Sequence, residues 1–249
     1  MLFDIEQAAL AKGVEGLKLT NAAGDGVLAD VPPKFELQAA ADAEITRLSK
    51  IHIVVNNAGI TGGGGYGFWA DACLNWTIGV NLTEVIWGVE IFGPLMEGHG
   101  EGGQFDNTGS IAGMIASNGG PYNVTKYAVV ALSEGLRNEL GPRGIEVSVL
   151  CPGVIRTQII DSTRIFPDRF SGVTDASAAA GPAPEPLKMI RGRIAGGIDP
   201  IYVGELVREG VENDWPYIVT DNEFEPFIKA RLARIKEGLD QVCGRETRR

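Results

Sequence analysis

The sequence predicts an α/β domain organised around a parallel sheet, and three observations carry that expectation. Short β-branched apolar runs alternate with longer stretches of helical periodicity, the pattern of strands joined by crossover helices. Small and polar clusters follow the strand-like runs, where a parallel sheet presents its ligand-facing groups. Of the 249 residues, 44% are apolar, enough for a real core in one large domain or two small ones, and a single domain over 1–249 is expected.

In chain order, Gln7–Leu19 and Glu36–Leu48 have helical periodicity, and Ile51–Val55 (IHIVV) reads as a buried strand. Asp71–Phe92 reads as a long helix with Asp71 as its N-cap. A strand end precedes Asn107, then Tyr122–Leu140 reads as helix and Ile145–Leu150 (IEVSVL) as the second clear buried strand. Between Arg156 and Pro200 periodicity fails, and Ala176–Pro186 (ASAAAGPAPEP) is small-residue and proline-rich. That segment, about 156–200, is read as a lid over a site, the alternative being a surface insertion without a role. Val203–Asn213 reads as a further helix, and no repeat of fixed period is visible.

Lys and Arg number 22 against 32 Asp and Glu, a net charge of −10. Affinity for nucleic acid or an anionic membrane comes from clustered Lys and Arg, so both partners are disfavoured. Cys73, Cys151 and Cys243 are far apart and lack CxxC spacing, which indicates neither a disulfide framework nor a metal site and points to the reducing cytoplasm. Asp4 and Glu6 interrupt any apolar signal-peptide stretch, and a soluble, unexported protein is expected.

Chemistry concentrates in four places. Tyr122 and Lys126 lie four positions apart at the start of a helix, which puts both side chains on one face. An ammonium beside a phenol favours the phenolate and draws its pKa towards the working pH, as a general base acting on an alcohol requires. Taken alone, such a pair is usually structural. Ser110 stands twelve residues earlier in Asn107-Thr-Gly-Ser-Ile-Ala-Gly113, after a strand end. Asn56-Asn-Ala-Gly59 follows the strand Ile51–Val55, Val80-Asn-Leu82 lies in the helix behind it, and Pro152-Gly-Val-Ile-Arg-Thr157 follows Ile145–Leu150.

Together these motifs resemble the short-chain dehydrogenase/reductase superfamily from about Asp4 to Thr157. The resemblance implies a Rossmann-like, doubly wound, three-layer parallel sheet. It also implies that Tyr122 is the acid/base, that Lys126 holds the nicotinamide ribose and lowers the tyrosine pKa, and that Ser110 hydrogen-bonds the substrate oxygen. Asn81 would support a proton-relay water, although a mid-helix Asn also serves to satisfy backbone. Asn56, Ala58 and Gly59 would pass close to the cofactor ribose, while Pro152, Gly153, Val154, Ile155 and Thr157 would bracket the nicotinamide. Asn56 and Asn57 also suit an ordinary turn, and Thr157 a helix N-cap. Leu2-Phe3-Asp4 looks like the end of the family's second strand, where an acid accepts from a ribose 2′-hydroxyl and repels a 2′-phosphate, so NAD is favoured over NADP. Asp30 and Val31 match the family's adenine contact.

The pattern departs from the family at its start. Only three residues precede Asp4, so the first strand and helix, with their phosphate-binding glycines, have no place in this chain. Gly62-Gly-Gly-Gly-Tyr-Gly67 formally satisfies GxGxxG, but it follows a different strand and reads as a flexible loop near the substrate. The missing strand would leave two buried edges unpaired, at about 1–3 kcal/mol for each unmade buried hydrogen bond. Met1 is accordingly expected to be an internal or misassigned start. Asp106 stands where its strand should be apolar.

The expected activity is NAD-dependent interconversion of a secondary alcohol and a ketone. The alternative is a catalytically silent remnant or interaction module that binds no dinucleotide. Trp69, Phe166, Phe170, Trp215 and Tyr217 suggest a hydrophobic or aryl-bearing alcohol or ketone, although aromatics are more often plain core. A homodimer or homotetramer through the helices holding Asn81 and Tyr122 is implied by the resemblance.

Overall fold

The computed structural model describes residues 1–20, 22–30, 34–62, 64–67, 69–167 and 184–245. Strands β1 (Leu2–Asp4) and β2 (Gly26–Leu28), joined by α1 (Gln7–Leu19), form a two-stranded parallel sheet. Helix α2 (Lys34–Leu48) leads to β3 (Ile53–Asn56), and a long helical stretch then runs through α3 (Asp71–Ile78), a π-helical turn at Gly79–Thr83 and α4 (Glu84–His99). β4 (Gly103–Thr108), α5 (Pro121–Leu140) and β5 (Ile145–Cys151) follow, then α6 (Pro184–Ala195), α7 (Pro200–Glu212), β6 (Tyr217–Val219) and α8 (Glu225–Asp240). β3, β4, β5 and β6 pair in that order, all parallel.

Helices cover both faces of this larger sheet, which explains why β5 reads as an almost unbroken apolar run. On one face Phe105, Ile145 and Val147 pack with Leu37 and Ala41 of α2 and with Ile91, Phe92 and Met96 of α4. Val149 and Cys151 meet Val85, Val129 and Val130 on the same face. On the other, Leu150 and Ile218 pack against Val203 of α7. Each fully buried large side chain contributes about 1.5–3 kcal/mol. The stretch Asp71–His99 is apolar and long enough to match a membrane span, but its Trp76, Val85, Ile91, Phe92 and Met96 are buried in this core.

The three-layer parallel architecture agrees with expectation, and the division of the sheet shows the suspected gap. Among the described residues, β1 pairs with β2 alone and β3 with β4 alone, so β1 and β3 each have one side without a ladder partner. On β3, Ile53 is 56% and Val55 49% exposed. The small sheet is fastened through α2, through a Lys34–Glu90 ion pair at 2.6 Å and through Glu6–Arg164 at 2.6 Å.

Several boundaries differ. The helix expected over Asp71–Phe92 is interrupted by the π turn and then runs through Pro94 to His99, because Phe92 and Met96 anchor it in the core on either side of the proline. It ends at Gly100, whose φ of 66° suits a residue without Cβ. Asp71 is not the N-cap; Ala70 holds that position, and Asp71 sits in the first turn, where its charge complements the helix dipole. Residues 184–186, read as loop, open α6, since prolines are tolerated in a first helical turn. The rest of Ala176–Pro186 lies outside the described residues.

Candidate active site

Tyr122 is the second residue of α5, directly after Pro121, and Lys126 follows one turn on. Glycines let this helix start close to its neighbours. A Cβ on Gly113 would lie 2.4 Å from the Lys126 carbonyl oxygen, and one on Gly120 would lie 2.3 Å from the carbonyl of Gly64. The glycine run at 62–67 therefore abuts the start of α5. Residues 61–70 contain no described helix turn, which agrees with reading the run as a loop near the site.

Ser110 leaves the end of β4 and caps a short 3-10 turn at Ile111–Gly113, its Oγ accepting from the Ala112 N–H at 3.1 Å. The Ser110 hydroxyl lies near enough to Tyr122 to pull the phenol's pKa down. Burial acts more strongly the other way and holds Tyr122 above its ordinary value. This corrects the expectation of a phenol drawn down by Lys126. The lysine Nζ lies 6.0 Å from the Tyr122 ring centre and donates to the Thr108 carbonyl at 2.7 Å. Its own charge is weakened, because burial draws Lys126 down to about 8 against the opposing pull of Glu84.

Glu84 is a site residue that the sequence reading missed. It is buried, one carboxylate oxygen has no partner among the described residues, and burial pushes it up to about 8. An acid inside the apolar run Leu82-Thr-Glu-Val-Ile86 was the available signal.

Asn81 is fully buried in the π turn. Its Oδ1 accepts from the Ile60 N–H at 2.8 Å, and its Nδ2 donates to the Ile60 carbonyl at 3.0 Å and to Thr125 Oγ1 at 3.3 Å. The side chain is thus engaged in joining the loop after β3 to α5, which favours the backbone-satisfying reading over direct contact with a relay water. Asn56 Nδ2 donates to Asn107 Oδ1 at 2.8 Å, and Asn107 Nδ2 donates to Ser133 Oγ at 3.0 Å, linking β3, β4 and α5. Beside Ala58, Gly59 lies against the lysine: a Cβ there would be 3.7 Å from Nζ.

Pro152, after β5, accepts from the Ile111 N–H at 2.9 Å, so this segment is tied to the Ser110 turn. Gly153 N–H donates to Thr220 Oγ1 at 2.9 Å, Val154 and Arg156 exchange backbone hydrogen bonds with Ile198, and Ile155 bridges to Ile198. Thr157 Oγ1 accepts from the Ile159 N–H at 3.4 Å, but the N-cap of the short turn Ile159–Ile165 is Gln158 and not Thr157. Asp4 ends β1 and accepts from the Glu6 N–H at 2.8 Å. The Glu6–Arg164 pair brings that strand end to the same side as the segment after β5. The Asp30 N–H donates to Glu36 at 3.2 Å, and Val31 lies outside the described residues.

The aromatic residues divide. Phe166 packs edge-on against Trp76 at 4.9 Å, and Trp69 is half exposed, edge-on to Tyr66 at 6.0 Å. Trp215 packs with the α7 core and the Tyr217 hydroxyl bonds Glu134, so these two serve packing rather than the site, while Phe170 is outside the described residues.

The donor set fits the nicotinamide–ribose half of a dinucleotide. Lys126 has ammonium hydrogens beyond the one given to Thr108, and Gly59 lies beside it. No described residues form a strand–glycine–helix turn for the pyrophosphate.

A family model described as short chain dehydrogenase matches residues 1–166. The chain is 29% identical over 248 residues to the C alpha-dehydrogenase of Sphingobium sp. (strain NBRC 103272 / SYK-6), covering 98% of this chain and 78% of that one. A short chain dehydrogenase/reductase from Burkholderia phymatum, solved in complex with NAD, superposes with a TM-score of 0.87 at 29% identity, over 95% of this chain and 85% of that chain. A short-chain dehydrogenase from Sphingobium yanoikuyae, solved with NADPH, shares the fold at a TM-score of 0.71 and 20% identity, over 100% and 87% of the two chains. The motifs, the parallel architecture and these likenesses converge: the chain belongs to the short-chain dehydrogenase family of oxidoreductases.

Proposed function

We propose that the protein is an NAD-dependent oxidoreductase that interconverts a secondary alcohol and a ketone, with Tyr122 as its acid/base. The observation that carries this is the gathering of Ser110, Tyr122 and the buried Lys126, which donates to the Thr108 carbonyl, at the carboxyl ends of β4 and β5. A bound nicotinamide dinucleotide would supply the hydride acceptor or donor. Lys126 and the loop Asn56–Gly59 would hold its ribose, and the backbone of Pro152–Thr157 its nicotinamide end. Asp4, at the end of β1, favours a free 2′-hydroxyl and hence NAD.

In the oxidative direction the Tyr122 phenolate accepts the alcohol proton at Oη. Because Ser110 Oγ accepts from Ala112, its own hydrogen is left to donate to the substrate oxygen. In the reductive direction the neutral phenol, favoured by burial, returns the proton to the nascent alkoxide. Asn81 keeps the loop around Ile60 in register with α5 and acts by positioning. The substrate is a hydrophobic alcohol or ketone approached past Trp69, and the active form is a cytoplasmic dimer or tetramer. The silent-module reading is disfavoured by the convergence of the hydroxyl pair and the lysine.

Tyr122→Phe should reduce turnover by about 10²–10⁴-fold while leaving NAD affinity, measured by fluorescence titration, nearly unchanged. Turnover retained in that variant would overturn the mechanism.

A further inference from the structure

We propose that His52, His99 and Glu101 bind a divalent transition-metal ion of the zinc, cobalt or nickel type, at the amino ends of β3 and β4 and so at the opposite end of the sheet from the hydroxyl pair. The chain contains two histidines, and both are here. One ligand atom from each of the three residues lies within 4.8 Å of the others. Tetrahedral zinc with bonds near 2.1 Å spaces its ligand atoms about 3.4 Å apart. Rotation of partly exposed side chains can close that difference.

The surroundings are already arranged for a metal. His99 Nε2 lies 2.9 Å from the Ile51 carbonyl, which can only accept, so the proton is on Nε2 and the lone pair is on Nδ1. An imidazole whose second nitrogen donates to a backbone carbonyl is the arrangement that orients histidine ligands. Nδ1 now accepts a long 3.2 Å contact from the Glu101 N–H, the bond that a metal would replace. His52 Nε2 lies 2.9 Å from Glu101 Oε2, and the two imidazole rings are 4.6 Å apart and tilted by 42°. Lys50 pairs with the other carboxylate oxygen of Glu101. His99 also sits in the last turn of α4, whose terminal carbonyls favour positive charge. Two imidazoles and one carboxylate suit zinc, cobalt and nickel better than magnesium or calcium, with water completing the coordination. Such an ion would tie the end of α4 to the start of β3, the strand whose side chains are most exposed in the larger sheet.

The test is titration of the untagged full chain, carrying Cys243→Ser to remove the exposed thiol, with zinc chloride at pH 7.5, followed by the two histidine ring signals in proton NMR and by calorimetry. The expected result is that both ring signals move together and saturate at one equivalent. His52→Asn, His99→Asn and Glu101→Gln should each weaken binding at least about tenfold. Movement of neither signal, movement of one alone, or an affinity unchanged by these substitutions would overturn the proposal. Circular dichroism of each variant separates lost binding from lost folding.

Discussion

The four-stranded sheet and the two-stranded sheet are built from the same kind of parallel strand but are secured differently. β4 and β5 are sandwiched between helices, their ladder is continuous over six register pairs, and polar side chains on them are cross-linked through Asn56, Asn107 and Ser133. β1 and β2 share three register pairs, present an exposed Leu28, and depend on α2 and two ion pairs for attachment. The residues proposed for acid/base work adjoin the first region; Asp4, proposed for cofactor choice, sits on the second. Acid/base geometry is thus more firmly fixed than dinucleotide preference.

The sharpest way to break this contrast is to empty each region in turn. Phe105→Ala in β4 should lower stability by about 3–5 kcal/mol in urea unfolding, whereas Leu28→Ala in β2 should cost less than about 1 kcal/mol; similar losses would refute the difference. Next in size is a gain. Asp106 is fully buried in β4, neither oxygen has a partner among the described residues, and burial pushes it up to about 7. A carboxyl raised in the folded state is harmless below its unfolded value and destabilises progressively as pH climbs from about 4 to about 7. Asp106→Asn should therefore be near-neutral at pH 4 and stabilising by on the order of 3–4 kcal/mol at pH 8, measured by chemical denaturation at both pH values. A pH-independent effect would show that the carboxyl is not the source of strain in the stronger region. Gly113→Ala, whose Cβ would collide with the Lys126 carbonyl, should cost about 1–3 kcal/mol and depress turnover. Smallest is Glu6→Gln at the Glu6–Arg164 attachment, expected to cost under about 1 kcal/mol and to matter less in high salt.

What the sequence disclosed follows the same division. Tyr122, Lys126, Ser110 and the segment after β5 were legible because each sits at a fixed offset from a strongly patterned strand or helix, and the fold brings strand ends together. The weakly patterned elements were not legible. β6 is three residues long, and α8 has no buried residue, so neither leaves an apolar periodicity to read. The phenol's pKa was misjudged because spacing reports that two side chains share a helix face, not that Lys126 turns to Thr108 or that burial outweighs its charge. Asn81 was found by motif, but its bonds to Ile60 belong to a loop whose path no local pattern encodes.

The π turn at Gly79–Thr83 has a mechanical corollary. A widened turn accommodates one additional residue, and each residue of a regular helix advances about 100° and 1.5 Å. Removing a single residue there would swing the downstream face of Ile91, Phe92 and Met96 away from α2 while leaving Trp76 where it is. The bulge works as a phase adjuster, letting one rod mesh with two walls whose spacings do not match.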